Sequence, residues 1–113
     1  IYIDSAADIT IKFNTLKSNL VGIFSEINSG FLAINNNIYD NTNYNVQFHK
    51  RAYFLGPDAV NAINNWWGTT DTLEIEVKIY DYEDDHELPK VIFRPFATSK
   101  ITEAGSPLLY TAP

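Results

Sequence analysis

Three stretches of this chain can be laid over one another, and that constrains its fold more than any single residue does. Residues 1–19 align without a gap on residues 23–41, an offset of 22 that sets Tyr2 on Phe24, Ile9 on Phe31, Ile11 on Ala33, Asn14 on Asn36 and Leu16 on Ile38. A second offset, of 29, sets Phe31 on Val60, Ala33 on Ala62, Asn36 on Asn65 and Ile38 on Trp67. Each copy reads apolar-x-apolar-x-x-Asn-x-apolar. The alternation of branched and aromatic residues with polar ones predicts short strands with one buried face. Asn14, Asn36 and Asn65 follow such a strand, where the chain must turn. Asparagine tolerates the left-handed region and bonds nearby backbone, so these residues are expected at the corners. Stacked copies would let the three amides bond to one another as a ladder. A further strand is expected near Leu20 to Phe24, with its counterpart at Tyr44 to Phe48.

A period of 22 is too short for a βαβ unit of roughly 30 residues. It suits one coil of a β-solenoid; a β-sandwich with similar strands is the competing reading. The motif in "IKFNTLKSN" and "AINNNIYDN" resembles the repeat of right-handed parallel β-helix proteins. The stretch "AINNWWGTTDTLEIEVKIYDYEDDHELPKVIFRPF" resembles the closing segment of such proteins from archaeal and bacterial cell surfaces. The resemblance implies an all-β fold: a right-handed parallel β-helix of about three coils of about 22 residues, with a C-terminal cap holding a short helix and a final strand. The expected divisions are coils over 1–67, a cap over 68–96 and an extended tail or linker over 97–113. Trp66, Trp67 and Gly68 are then expected to close the last coil, the rings as cover and the glycine to let the chain swing across the end.

Residues 71–80 fit both a strand, through Leu73, Ile75, Val77 and Ile79, and a helix. Asp71 with Glu74 fits a capping box, and Leu73, Val77 and Tyr80 fit a helical stripe. The resemblance favours the short helix. Lys90 to Phe93 reads as the last strand.

Composition narrows the chemistry. The chain has 113 residues, a formal net charge of −6 and no cysteine. Disulfides and thiolate metal sites are excluded, and the charge argues against a nucleic-acid backbone as main partner. No apolar stretch is long enough to insert across a bilayer. Two clusters are candidate sites. In "HKRAYF", within the residues that delay the third copy, His49, Lys50, Arg51 and Tyr53 are candidates for holding an acidic sugar. In "YDYEDDHE", Asp81, Asp84 and Asp85, beside Glu83 and Glu87, are candidate oxygen ligands for Ca²⁺. No catalytic pair is legible; no other cofactor is expected. The favoured function is non-catalytic: the C-terminal portion of an extracellular or cell-surface protein, acting as scaffold, adhesin or surface-binding module. The alternative is part of a carbohydrate-active enzyme with its site upstream of Ile1. The expected partners are further coils or another chain covering the N-terminal end, and polysaccharide.

Overall fold

The structure is a computed structural model that describes residues 1–4, 9–26, 30–49 and 58–105. In chain order its elements are β1 (Tyr2–Ile3), β2 (Ile9–Lys12), β3 (Thr15–Leu16), β4 (Val21–Glu26), β5 (Phe31–Ile34), β6 (Asn37–Ile38), β7 (Tyr44–His49), β8 (Ala59–Asn61), α1 (Thr72–Val77), β9 (Ile79–Tyr80) and β10 (Lys90–Ile92). All pairings are parallel. The strands form three separate sheets, ordered β1-β4-β7-β9, β10-β8-β5-β2 and β3-β6. The first rank is β1 to β3, the second β4 to β6.

The registers are those of the sequence repeat. Ile9 pairs Phe31, Thr15 pairs Asn37 and Tyr2 pairs Phe24, all at 22 residues, and Leu32 pairs Asn61 at 29. The expected right-handed parallel β-helix, however, needs correction. The described residues are all-β, with short parallel strands in three separate sheets and one minor helix; they do not make a closed solenoid. The spacing explains why. It grows from 22 to 23 between β4 and β7, then to 31 between β8 and β10 and 33 between β7 and β9. No uniform coil survives that drift. The third sheet is two strands of two residues, continued only by an isolated bridge from Asn37 to Trp66.

The core lies between the sheets. Ile11, Ile23, Phe31, Ala33, Val46, Phe48, Val60 and Ala62 are buried there, one above another as the repeat demands. Ile38 and Trp67 occupy equivalent positions, and both are buried. The Trp67 Nε1 has no hydrogen-bond partner among the described residues, so the ring serves the core through its apolar area.

The asparagines form a hydrogen-bonded row through this stack. Asn36 Oδ1 accepts the Asn14 backbone N–H at 2.9 Å, and Asn65 Oδ1 accepts that of Asn36 at 2.9 Å. The Asn36 Nδ2 donates to the Ile11 and Ile34 carbonyls, and the Asn65 Nδ2 to those of Ala33 and Ala62. Asn36 and Asn65 are fully buried. The left-handed corner, expected at these asparagines, falls one residue earlier: Phe13, Asn35 and Asn64 have φ of 58°, 58° and 61°. Reversing the chain there turns the following amide inward, where it reaches the neighbouring rank.

The end of the chain also departs from expectation. The helix forms, with Asp71 at its N-cap accepting the Leu73 N–H at 2.9 Å. Its buried face is Ile75, while Leu73 and Val77 are each 70% exposed, so the expected stripe is displaced by two residues. Gly68 has φ 85°, and a Cβ there would lie 2.8 Å from the Tyr39 Cβ, so both backbone and space demand glycine. Residues 97–105, expected as extended tail, are instead docked along the corners. The Ala97 N–H donates to the Asn65 carbonyl, Ile101 N–H to Asn37 Oδ1, and Gly105 N–H to the Phe13 carbonyl.

Replacing Asn36 by alanine takes the side-chain partner from the Ile11 and Ile34 carbonyls and from the Asn14 backbone N–H. At about 1–3 kcal/mol for a buried unsatisfied group, partly relieved by relaxation, Asn36→Ala should cost about 3 kcal/mol in urea unfolding. Asn14→Ala, half-buried at the end of the row, should cost about 1 kcal/mol. Equal losses would show that the row does not derive its strength from burial.

Candidate functional site

On the first sheet, β1, β4 and β7 bring together residues far apart in sequence. Tyr2 lies directly opposite Phe24, and Glu26 opposite His49. The rings stack along the sheet: Tyr2 on Phe24 with centroids 5.5 Å apart and planes at 11°, and Phe24 on His49 at 5.8 Å and 27°. Beneath them the Glu26 side chain is buried, and it is gripped from both neighbouring ranks. The Tyr2 hydroxyl donates to Oε1 at 3.0 Å, and His49 Nδ1 lies 2.8 Å from Oε2. A carboxylate only accepts, so an ionised Glu26 holds a proton of His49 on Nδ1. The His49 side chain is 57% exposed. The arrangement holds one imidazole in a defined orientation at the surface.

Of the residues expected to hold an acidic sugar, His49 is thus placed; Lys50, Arg51 and Tyr53 lie outside the described residues. Tyr2 and Glu26 were not legible as partners of His49. The 22-residue register sets Glu26 opposite Phe48, whereas the sheet pairs it with His49 at 23. The extra residue enters at Asn43 and Tyr44, whose N–H groups both point to the Leu20 carbonyl, at 2.8 and 3.4 Å.

The acidic turn is internally bonded. Asp81 is buried, its Oδ1 accepting the Glu83 N–H at 3.1 Å and its Oδ2 the Val91 N–H at 2.8 Å. Asp84 Oδ2 accepts the Asp81 N–H, and Asp85 Oδ1 that of Glu87. The three carboxylates read as Ca²⁺ ligands therefore each serve a backbone N–H of the turn or of β10. Among the described residues no group of three or more His, Asp or Glu is placed to hold a metal. Lys90 Nζ lies 2.8 Å from Glu83 Oε1 and draws that carboxyl below its usual range. Burial pushes the Asp81 carboxyl above its ordinary value, against the pull of its two backbone N–H donors.

Two further rows went unpredicted. Asn41 Oδ1 accepts the Asn19 N–H at 3.1 Å while its Nδ2 donates to Leu16 O and Asn45 Oδ1. Asn37 Nδ2 donates to Thr15 Oγ1 and to the Ile101 carbonyl. Asn19 and Asn41 keep the offset of 22, a signal the sequence did carry.

No family model matches the chain, and no solved structure matches it. The curated "Protein bark beetle" of Drosophila melanogaster is 49% identical over 35 residues, which are 31% of this chain and 1% of that protein. The chain spans so small a part of that relative that its role does not carry over.

The raised Asp81 value gives a pH test. Between the ordinary value of 3.8 and the raised folded one, the native state binds the proton that the unfolded chain has lost. Stability therefore falls as pH rises through that window. Asp81→Asn cannot titrate, so wild type should lose stability relative to this variant as pH increases, in parallel urea unfolding series. A wild-type advantage that grows with pH would contradict the burial argument.

Proposed function

We propose that this chain is a non-catalytic scaffold and surface-binding module, which joins other β-structure end-on through its first rank. The observation that supports this most is an asymmetry of exposure. Tyr2 is 62% and Ile1 45% exposed, while their 22-residue equivalents Phe24 and Ile23 are half-buried and fully buried. Leu20, also on the first rank, is 68% exposed. β1 and β2 stand at the ends of their sheets, with one edge of backbone groups unpaired by any described strand. Such an edge, flanked by apolar side chains, is a template for another strand.

The aromatic row fits the same reading. Its rings stack face on face from His49 through Phe24 to Tyr2, which stands at the exposed end of the row. A ring or strand arriving from another chain would continue the row there. The partner expected is therefore another protein chain, or further strands, carrying parallel β-structure.

A carbohydrate-active enzyme is the second reading, and the oriented imidazole of His49 is the feature that favours it. Proton transfer by Nε2 requires a substrate seated over the first sheet, within hydrogen-bond reach.

Sedimentation of the 113-residue chain over a wide concentration range tests the proposal. Self-association is expected, and Leu20→Lys, at a side chain 68% exposed, should weaken it while leaving the unfolding midpoint nearly unchanged. A wild-type chain that stays monomeric throughout would overturn it. Incubation with polysaccharides should release no new reducing ends or unsaturated sugars; release that is lost in His49→Ala would establish the second reading.

A further inference from the structure

An open groove of about 540 Å³ runs across the ranks at the corner where the C-terminal residues dock. Its floor is the left-handed corner row, Phe13, Asn35 and Asn64, one residue from each of three successive copies. Its wall is the segment from Phe96 to Glu103, with Ile101 between them. That wall is tied at each rank, through the Asn65 carbonyl, the Asn37 amide and the Thr15 hydroxyl, which donates to the Ala104 carbonyl at 2.8 Å. The groove is therefore a built feature of the fold.

Its residues differ from those of the neighbouring asparagine row in one respect. Asn36 and Asn65 spend their amides on the interior, whereas the amides of Asn35 and Asn64 make no side-chain hydrogen bond among the described residues. Both face the groove with donors and an acceptor available. At the matching position of the first copy stands Phe13. A left-handed corner suits asparagine or glycine, and a bulky aromatic rarely adopts it. The backbone requirement does not account for this residue. Phe13 is 46% exposed and lines the groove.

An exposed aromatic ring beside two free primary amides, spaced by one strand separation of about 4.8 Å, is the chemistry that recognises a pyranose. The apolar face of the sugar stacks on the ring and its hydroxyls bond the amides. The charged side chain in the lining is Glu103, and the chain as a whole carries −6. Both disfavour a polyanionic ligand. We propose that this corner groove is a binding site for an uncharged oligosaccharide, distinct from the first-sheet face.

The test is amide-resolved NMR titration of the full chain with cellotetraose, maltotetraose and mannotetraose, with tetragalacturonate as the charged control. One of the neutral sugars should shift the Asn35 and Asn64 side-chain NH₂ signals and the Ile101 N–H saturably, and tetragalacturonate should not. Phe13→Asn keeps a residue that favours the corner, so it should fold at least as well as wild type. It should weaken binding about tenfold or more, the equivalent of about 1.4 kcal/mol. No saturable shift at these residues with any neutral sugar overturns the proposal. So does binding that survives Phe13→Asn unchanged, or preference for the galacturonate. Self-association, measured separately, is expected to be the same in Phe13→Asn and wild type.

Discussion

The buried amides of Asn36 and Asn65 are the interaction on which the rest of the structure depends. Parallel strands of two to six residues give few ladder bonds each, and the corners between sheets leave backbone groups with no strand partner. The asparagine row satisfies those groups from within. Each buried amide joins a carbonyl of its own turn to groups of the rank beside it, so one side chain fixes both a turn and a register. Slipping the stack by one residue would break every bond in the row and turn the core residues outward. Asparagine alone combines a short side chain, a donor and an acceptor; aspartate would lack the donor and glutamine would overreach.

How much of this was legible follows from the same constraint. Parallel stacking in register places like above like, so Ile9 over Phe31 and Leu16 over Ile38 could be read directly from the 22-residue offset. The row of Asn14, Asn36 and Asn65 was visible for the same reason. Its conformation was not, because the side chain that bonds across ranks and the residue that reverses the backbone are different residues. The regular solenoid failed for a reason equally physical. A repeat predicts strand registers, but closure into uniform coils requires constant spacing, and here the spacing drifts after the second rank. A single extra residue near Asn43 moves His49 over Glu26 and hides the pair from any fixed offset. The docking of Ile101 on Asn37 joins positions 64 apart, with no periodicity to announce it.

The acidic turn illustrates the limit of composition. Of its five carboxylates within eight residues, Asp81 turns inward to accept from Val91 of β10, and Asp84 and Asp85 accept backbone N–H groups of the turn. Where the fold spends its polar groups decides what is left over for a partner. The asparagine rows and Asp81 are spent internally. The exposed Tyr2 and His49 side chains and the corner pair Asn35 and Asn64 line the surface, and the proposed associations are built from these.

The most direct measurement of the central claim is native-state hydrogen exchange of the Asn36 backbone N–H, which the Asn65 side chain accepts. If the buried row carries the stack, this N–H should exchange only through global unfolding, with the free energy obtained from denaturation. The exposed Leu73 N–H, bonded only to its helix cap, should exchange through local fraying. Exchange at Asn36 by a local opening well below the global stability would contradict the account.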